Sequence, residues 1–339
     1  MRKRPAGPEP LRIRSVLLPL DGSPFAEQAL PWAAAIARKA HARLRLALVH
    51  QPPQPPPADD SDRRLYTRVE LALRKSQRDY LRSVAAQLKG ERATRVATAT
   101  LDGAPAPALG EYVQEIGVDL VVMTTHGRGG LERAWLGSVA DQLVRSLEVP
   151  VLLIRPTDAA RTNGARTDNP RTEGSRTEGS RTEGPEAEPG LEEVLVPLDG
   201  SPLAEAALPP ALAVASLFGA RLTLVQGVEP VVMLVGAPTP FARNVDQELS
   251  ALRRREAKDY LDDLAERATA QGVPTRGTAV LCSGALEAIQ AAARAPGIGM
   301  IALATHGRGG LRRLVLGSVA DKLVRSSDLP ILVTRPRGR

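Results

Sequence analysis

The chain says nearly the same thing twice, and this duplication limits its possible folds more than any other feature. The stretch VLLPLDGSPFAEQALP at 16–31 returns as VLVPLDGSPLAEAALP at 194–209, with 13 identities in 16 positions. Residues 124–156 return at 304–336 with 22 identities in 33. Repeats this long are duplicated domains, not the short units of a solenoid. At 339 residues the chain also exceeds what one hydrophobic core usually supports. The text divides into a first domain at 1–156, a flexible low-complexity linker at 157–190 and a second domain at 191–339. The linker carries RTEG three times and almost no apolar side chain, so it buries too little surface to offset its ordering entropy. QPPQPPPADDSD at 51–62 predicts an extended surface loop.

Within the first repeat, short apolar runs alternate with helical patterns. IRSVLLPL (13–20), RLRLALVH (43–50), a segment near 94–101, DLVVMTT (119–125) and PVLLIR (150–155) read as strands. Helices are expected at 23–40, about 63–89, 106–116 and 138–147. Ser23 is placed as an N-cap with Pro24 in the first helical position, and Pro31 should kink or break the helix it lies in. The second repeat reads likewise. Strands alternating with helices demand an α/β fold, with a parallel sheet, right-handed crossovers and helices on both faces. Ligands in such sheets lie beyond the carboxyl ends of the strands, where the strand order reverses. PLDGS, after the first strand, and THGRGG, after the fourth, both fall there.

Composition removes several classes of function. The net charge of +7 is spread among 38 acidic residues, with no basic run interleaved with aromatics, which argues against nucleic-acid binding. The one cysteine, Cys282, can form no internal disulfide, has no zinc spacing around it and reads as a small apolar residue. No run approaches the roughly 18 apolar residues of a membrane span, and the basic start MRKRPAGPEP lacks the apolar stretch of a secretory signal. The expectation is a soluble, cytoplasmic protein with no membrane contact.

The two loops carry the chemistry. Gly127, Gly129 and Gly130 let backbone amides approach an anion, and Gly137 and Ser138 open a helix whose N-terminus attracts negative charge. Arg128 and Arg133 add positive field, so the ensemble reads as a triphosphate cradle. The alternative is a tight turn, with Ser138 and Asp141 forming a capping box for their own helix. Asp21 and Asp199, at the ends of the first strands, can accept from an adenine amino group or a ribose hydroxyl; turn and cap chemistry is the alternative there. His126 and His306 lie in the glycine loops, but neither a carboxylate pair nor a Ser-His-Asp order surrounds them, and the Gly-Lys-Ser/Thr of a P-loop is missing. Binding with at most slow hydrolysis follows, and any Mg2+ or Mn2+ would bridge the phosphates on water and phosphate ligands.

These residues resemble the universal stress protein family over about 11–156 and 191–336. The nucleotide-binding pattern of that family, G-x2-G-x9-G-(S/T), is matched by Gly127 with Gly137-Ser138 and by Gly307 with Gly317-Ser318. The resemblance implies two tandem Rossmann-like domains of the adenine nucleotide alpha hydrolase type, each a five-stranded parallel sheet of order 3-2-1-4-5, and ATP as ligand. It implies that Pro19, Leu20 and Asp21 line the adenine side and that Gln51 touches base or ribose. Thr124, Thr125, His126, Gly127, Arg128, Gly129 and Gly130 would wrap ribose and phosphates, while Gly137, Ser138, Val139 and Ala140 hold the phosphate tail. The matching residues of the second half are Pro197, Leu198, Asp199, Gly227, Ala304, Thr305, His306, Gly307, Arg308, Gly309, Gly310, Gly317, Ser318, Val319 and Ala320. The first glycine of the pattern is replaced by Thr124 and Ala304, where a Cβ crowds the ribose; alanine, being smaller, leaves the second site the more permissive.

The resemblance further implies pairing through the last strands. VPVLLIR and LPILVTR would otherwise be open edges, so the halves are expected to form an intramolecular pseudo-dimer, with a homodimer also accessible. Two other functions stay open on the residues alone: a nucleotide-free dimerising interaction protein, and a weak ATPase.

Overall fold

The computed structural model describes residues 10–53, 60–90, 95–125, 136–156, 188–232, 240–305 and 317–336. The linker core at 157–187 therefore lies outside the described residues. In the first half, β1 (Ser15–Pro19), β2 (Arg43–His50), β3 (Arg95–Asp102), β4 (Leu120–Thr124) and β5 (Val151–Ile154) alternate with α1 (Pro24–Glu27), α2 (Leu30–Lys39), α3 (Asp60–Gly90), α4 (Pro105–Ile116) and α5 (Ser138–Ser146). The second half repeats the series as β6 (Glu193–Pro197), α6 (Pro202–Glu205), α7 (Leu208–Phe218), β7 (Arg221–Val228), α8 (Pro240–Thr269), β8 (Thr275–Leu281), α9 (Ala285–Ala293), β9 (Ile298–Ala304), α10 (Ser318–Ser326) and β10 (Ile331–Thr334).

The local signals explain most of these limits. The Ser23 hydroxyl accepts from the Ala26 amide at 3.2 Å, capping α1 with Pro24 at its start. The helix expected at 23–40 is broken in two: α1 stops at Glu27 and α2 begins at Leu30, with Pro31 in the first turn of the new helix. Proline has no amide to donate and its ring excludes a continuous ladder, so it restarts a helix where it cannot continue one.

Strand order within each half is 3-2-1-4-5, as the resemblance implies, but the sheets are not two separate five-stranded units. All ten strands form one mixed sheet, β3-β2-β1-β4-β5-β10-β9-β6-β7-β8. Each half is parallel inside, and the seam is an antiparallel ladder in which Val151, Leu152 and Leu153 face Val333, Leu332 and Ile331. The physical reason is that β5 and β10 are both short apolar edge strands, which mutual pairing closes.

Side chains alternate to two cores. One layer packs α2, α3, α7 and α8 on one face through residues such as Ile36, Leu81, Leu212 and Leu261; the other packs α4, α5, α9 and α10 through Leu109, Leu143, Ile289 and Leu323. Each layer runs without interruption from one half into the other. Trp32 and Phe218 meet across the halves with ring centroids 5.9 Å apart.

Candidate functional site

In each half, β1 and β4 (or β6 and β9) are neighbours whose onward connections leave in opposite directions, which opens a crevice at their carboxyl ends. One wall is the PLDGS turn. Leu20, 4% exposed, is pinned by its amide to Ala47 O at 2.7 Å, so its side chain belongs to the core and only its backbone borders the crevice. Asp21 Oδ1 accepts from the Ser23 amide at 2.9 Å, and Asp199 Oδ1 from the Ser201 amide at 2.9 Å. The turn-and-cap reading thus accounts for one oxygen of each aspartate. Both aspartates remain half-exposed at the strand tips, beside Pro19 and Pro197.

The other wall is the start of α5. The Thr125 amide donates to Ile154 O at 2.9 Å, and the Thr125 carbonyl accepts from the Gly137 amide at 2.6 Å. This second bond ties the helix start to the tip of β4. The same pair recurs at Thr305, whose amide reaches Thr334 O at 2.9 Å and whose carbonyl accepts from Gly317 at 2.7 Å. The segments between, with His126, Gly127, Arg128, Gly129, Gly130 and Arg133, and with His306, Gly307, Arg308, Gly309 and Gly310, lie outside the described residues.

The helix starts differ from the capping box weighed above. The N-cap is Gly137, extended at φ −63°, ψ 150°, and in the second half Gly317, at φ −56°, ψ 149°. Among the described residues no side chain caps either helix. Ser138 and Ser318 are exposed first residues of their helices, and Asp141 turns forward to Arg145 Nε at 2.9 Å, as Asp321 does to Arg325 at 2.8 Å. The Asp141 hydrogen bond raises the Arg145 pKa above its ordinary value; Asp321, in the other half, adds to this and Arg325 opposes it. The amides of Ser138, Val139 and Ala140 have no preceding turn to bond to, and the helix dipole concentrates positive potential on them. Ala140 is 2% exposed and Val139 packs against the core, so these two can offer a ligand only main chain.

Other sequence candidates are placed less directly. Thr124 is a buried last residue of β4, whereas Ala304 is partly exposed at the end of β9. Gln51 is exposed just past β2. Gly227 is corrected as its counterpart. Pro19 pairs with Ala47 and Pro197 with Val225, so this register equates Gly227 with Val49, and Gln51 with Glu229. Gly227 sits inside β7 under α9, where a Cβ would stand 3.0 Å from Cys282 Sγ and 3.1 Å from Ala285 Cα.

Two features had no signal in the sequence. His50, fully buried at the end of β2, holds Gln77 Oε1 at 2.8 Å through Nδ1. Two arginines cross the seam in mirrored fashion. Arg155, just past β5, donates to Ser327 O at 3.2 Å and meets Asp328 at 3.0 Å; Arg335, just past β10, donates to Arg145 O at 2.8 Å. Each sets a cation at the carboxyl end of the other half's nine-residue helix, where the dipole favours it.

Among the described residues no helix is long and apolar enough to cross a membrane. A universal stress protein of Mycobacterium tuberculosis strain H37Rv is 28% identical over 345 residues, covering 96% of this chain and 99% of its own. One from Thermus aquaticus is 33% identical over 142 residues, covering 42% of this chain and 97% of its own. The crystal structure of a universal stress protein from Archaeoglobus fulgidus covers 95% of this chain and 98% of itself with a TM-score of 0.60; at 16% identity that likeness speaks to the fold alone. The model of the Universal stress protein family matches residues 12–155 and 190–335, and with both repeats so matched the chain belongs to that family, as a tandem two-domain member.

Proposed function

We propose that this protein binds an adenine nucleotide, ATP, in the two strand-tip crevices and acts as a stress-response module whose shape or partners change with occupancy. One observation carries the reading: in both halves a helix without a side-chain cap among the described residues is tethered by its N-cap glycine to the tip of the neighbouring strand. Such an end offers several amides and a partial positive charge to a polyanion. The phosphate tail would meet the amides of Ser138, Val139 and Ala140 and the Ser138 hydroxyl, with Ser318, Val319 and Ala320 serving the second site. Asp21 and Asp199 stand on the base and ribose side. Ala304, smaller and more exposed than Thr124, favours the second site.

A Mg2+ or Mn2+ ion bound with the nucleotide would rest on phosphate oxygens and water, and because the loops lack the Gly-Lys-Ser/Thr of a P-loop we read hydrolysis as at most slow. We assign the domains to 1–156 and 191–339, with 157–190 as the tether, and read them as an intramolecular pair. The β5–β10 ladder and the mirrored arginines support that pairing. A cytoplasmic location belongs to the same reading.

Equilibrium dialysis with labelled ATP tests it on Ser138→Pro and Ser318→Pro. Proline fits the first helical position, and the extended N-cap glycine before it suits a following proline, so the helix survives while one amide and one hydroxyl are removed. Hydrogen bonds to charged groups contribute about 1.5–3 kcal/mol each, so the changed site should weaken at least about tenfold. Gly127→Val and Gly307→Val should abolish binding. Failure of the native protein to bind ATP, or equal affinity in all variants, overturns the reading.

A further inference from the structure

The two halves differ where the long helix crosses the outer strand. In the first half a cleft of about 340 Å3 opens between α3 and β3, lined by Arg74, Arg78, Leu81, Arg82, Thr98 and Thr100. Every polar side chain in that lining can donate a hydrogen bond, and no carboxylate is among them. The arginines follow one another at intervals of four on α3, hence on one helix face. Thr98 and Thr100 pair with the buried Leu46 and Leu48, which fixes their side chains on the face that α3 covers. Arg74 is satisfied by Glu70 at 2.9 Å and Asp102 at 2.8 Å. Among the described residues Arg82 has one weak contact, with Asp79 at 3.4 Å. Arg78 donates through Nε to Arg74 O at 3.3 Å, and among the described residues no acid pairs with it.

The second half shows that the fold does not require this cleft. Tyr80 reaches Glu27 at 2.7 Å and Tyr260 reaches Glu205 at 3.0 Å, which aligns the two helices. Arg78 then corresponds to Lys258, Arg82 to Asp262 and Leu81 to Leu261. Strand register equates Thr98 with Gly277 and Thr100 with Ala279. Lys258 is neutralised in place by Asp262 at 2.6 Å, both hydroxyls are gone, and Leu261 sits so close to Gly277 that a Cβ there would be 2.6 Å from its own Cβ. One copy thus has a closed, neutral helix–strand contact; the other is held open by threonines and presents a guanidinium that no acid among the described residues neutralises.

We propose that the α3–β3 cleft is a separate binding site for a small phosphoryl anion of inorganic-pyrophosphate size, with Arg78 as its principal ligand and Arg82 and the Thr98 and Thr100 hydroxyls completing the set. The planar fork of a guanidinium matches two phosphoryl oxygens at once, and hydroxyls donate to the others. The site is independent of the strand-tip crevices and stands or falls without them.

The test is calorimetric titration of the full-length protein with inorganic pyrophosphate. It is done on the Ser138→Pro/Ser318→Pro background so that the helix-start sites contribute little. Saturable binding of about one equivalent is expected, weakened at least tenfold by Arg78→Glu and severalfold by Arg78→Lys, which keeps the charge but loses the fork. Thr98→Gly, imitating the second half, should also lose binding, while Lys258→Ala changes nothing. Absence of saturable heat overturns the proposal. So does heat that Arg78→Glu leaves intact, or heat that Lys258→Ala lowers as much as Arg78→Glu does, since that is diffuse attraction to a basic surface. Circular dichroism of Arg78→Glu guards against misfolding, and Arg78→Gln repeats the test if that variant is not native.

Discussion

Gly277→Ala tests the packing contrast between the halves. The added methyl group would lie 2.6 Å from Leu261 Cβ and 3.1 and 3.2 Å from the Leu261 carbonyl carbon and oxygen. The last two are main-chain atoms, so no rotamer change relieves the contact and α8 must move off β8. Overpacking of this kind costs about 1–3 kcal/mol. Against it, alanine restricts the unfolded chain more than glycine does, contributing about 0.4–1 kcal/mol where the native backbone accepts it, as here, since Gly277 has no left-handed φ. The balance is a loss of about 1–2 kcal/mol, or a fall in Tm of roughly 3–6 °C for a domain of this size. Urea unfolding followed by circular dichroism measures it. Gly190→Ala is the control, because nothing lies within 4 Å of its Cβ position, its φ is not left-handed and it lies outside any helix or strand. If Gly277→Ala unfolds at the same urea concentration as the control, α8 does not press on β8 as described, and the contrast with the open α3–β3 contact is lost.

Other outcomes follow from the same contacts. Arg335→Ala removes the donor to Arg145 O and the cation at the end of α5, and should lower stability by about 1 kcal/mol in chemical denaturation; no change would mean that the seam does not hold the helix. The Tyr260 phenol has its pKa raised, first by burial and then by the adjacent Glu205 carboxylate. Because the folded value exceeds the unfolded value of about 10, its contribution is intact below that pH and is lost as pH rises beyond it. Tyr260→Phe should therefore flatten the alkaline fall in stability between about pH 10 and 12; an identical fall in both proteins refutes this.

Much of the molecule is legible in the text because its causes are local. Ser23 and Pro24 start a helix, Pro31 forces a restart, and the period of apolar residues separates strands from helices within a few positions of chain. The duplicated PLDGS and glycine-loop motifs likewise point to candidate sites at strand tips. The precise partners do not follow from such signals. Ser138 and Asp141 have the spacing of a capping box, yet Asp141 goes to Arg145, a better electrostatic partner that becomes available only once the helix exists. Gly227 is matched to Gln51 by the resemblance, but its pairing with Val280 of β8 sets it inside a strand beneath α9.

The sequence by itself determined the duplication, the α/β alternation and the location of the candidate sites, since each depends on residues close together in the chain. Tertiary structure alone decided the antiparallel register in which β5 meets β10 within one ten-stranded sheet, that Arg155 and Arg335 would cross to the opposite helices, and that one helix–strand contact would be sealed while its twin stayed open. Those outcomes depend on groups far apart in sequence, and their energies exist only when the backbone has brought the groups within reach.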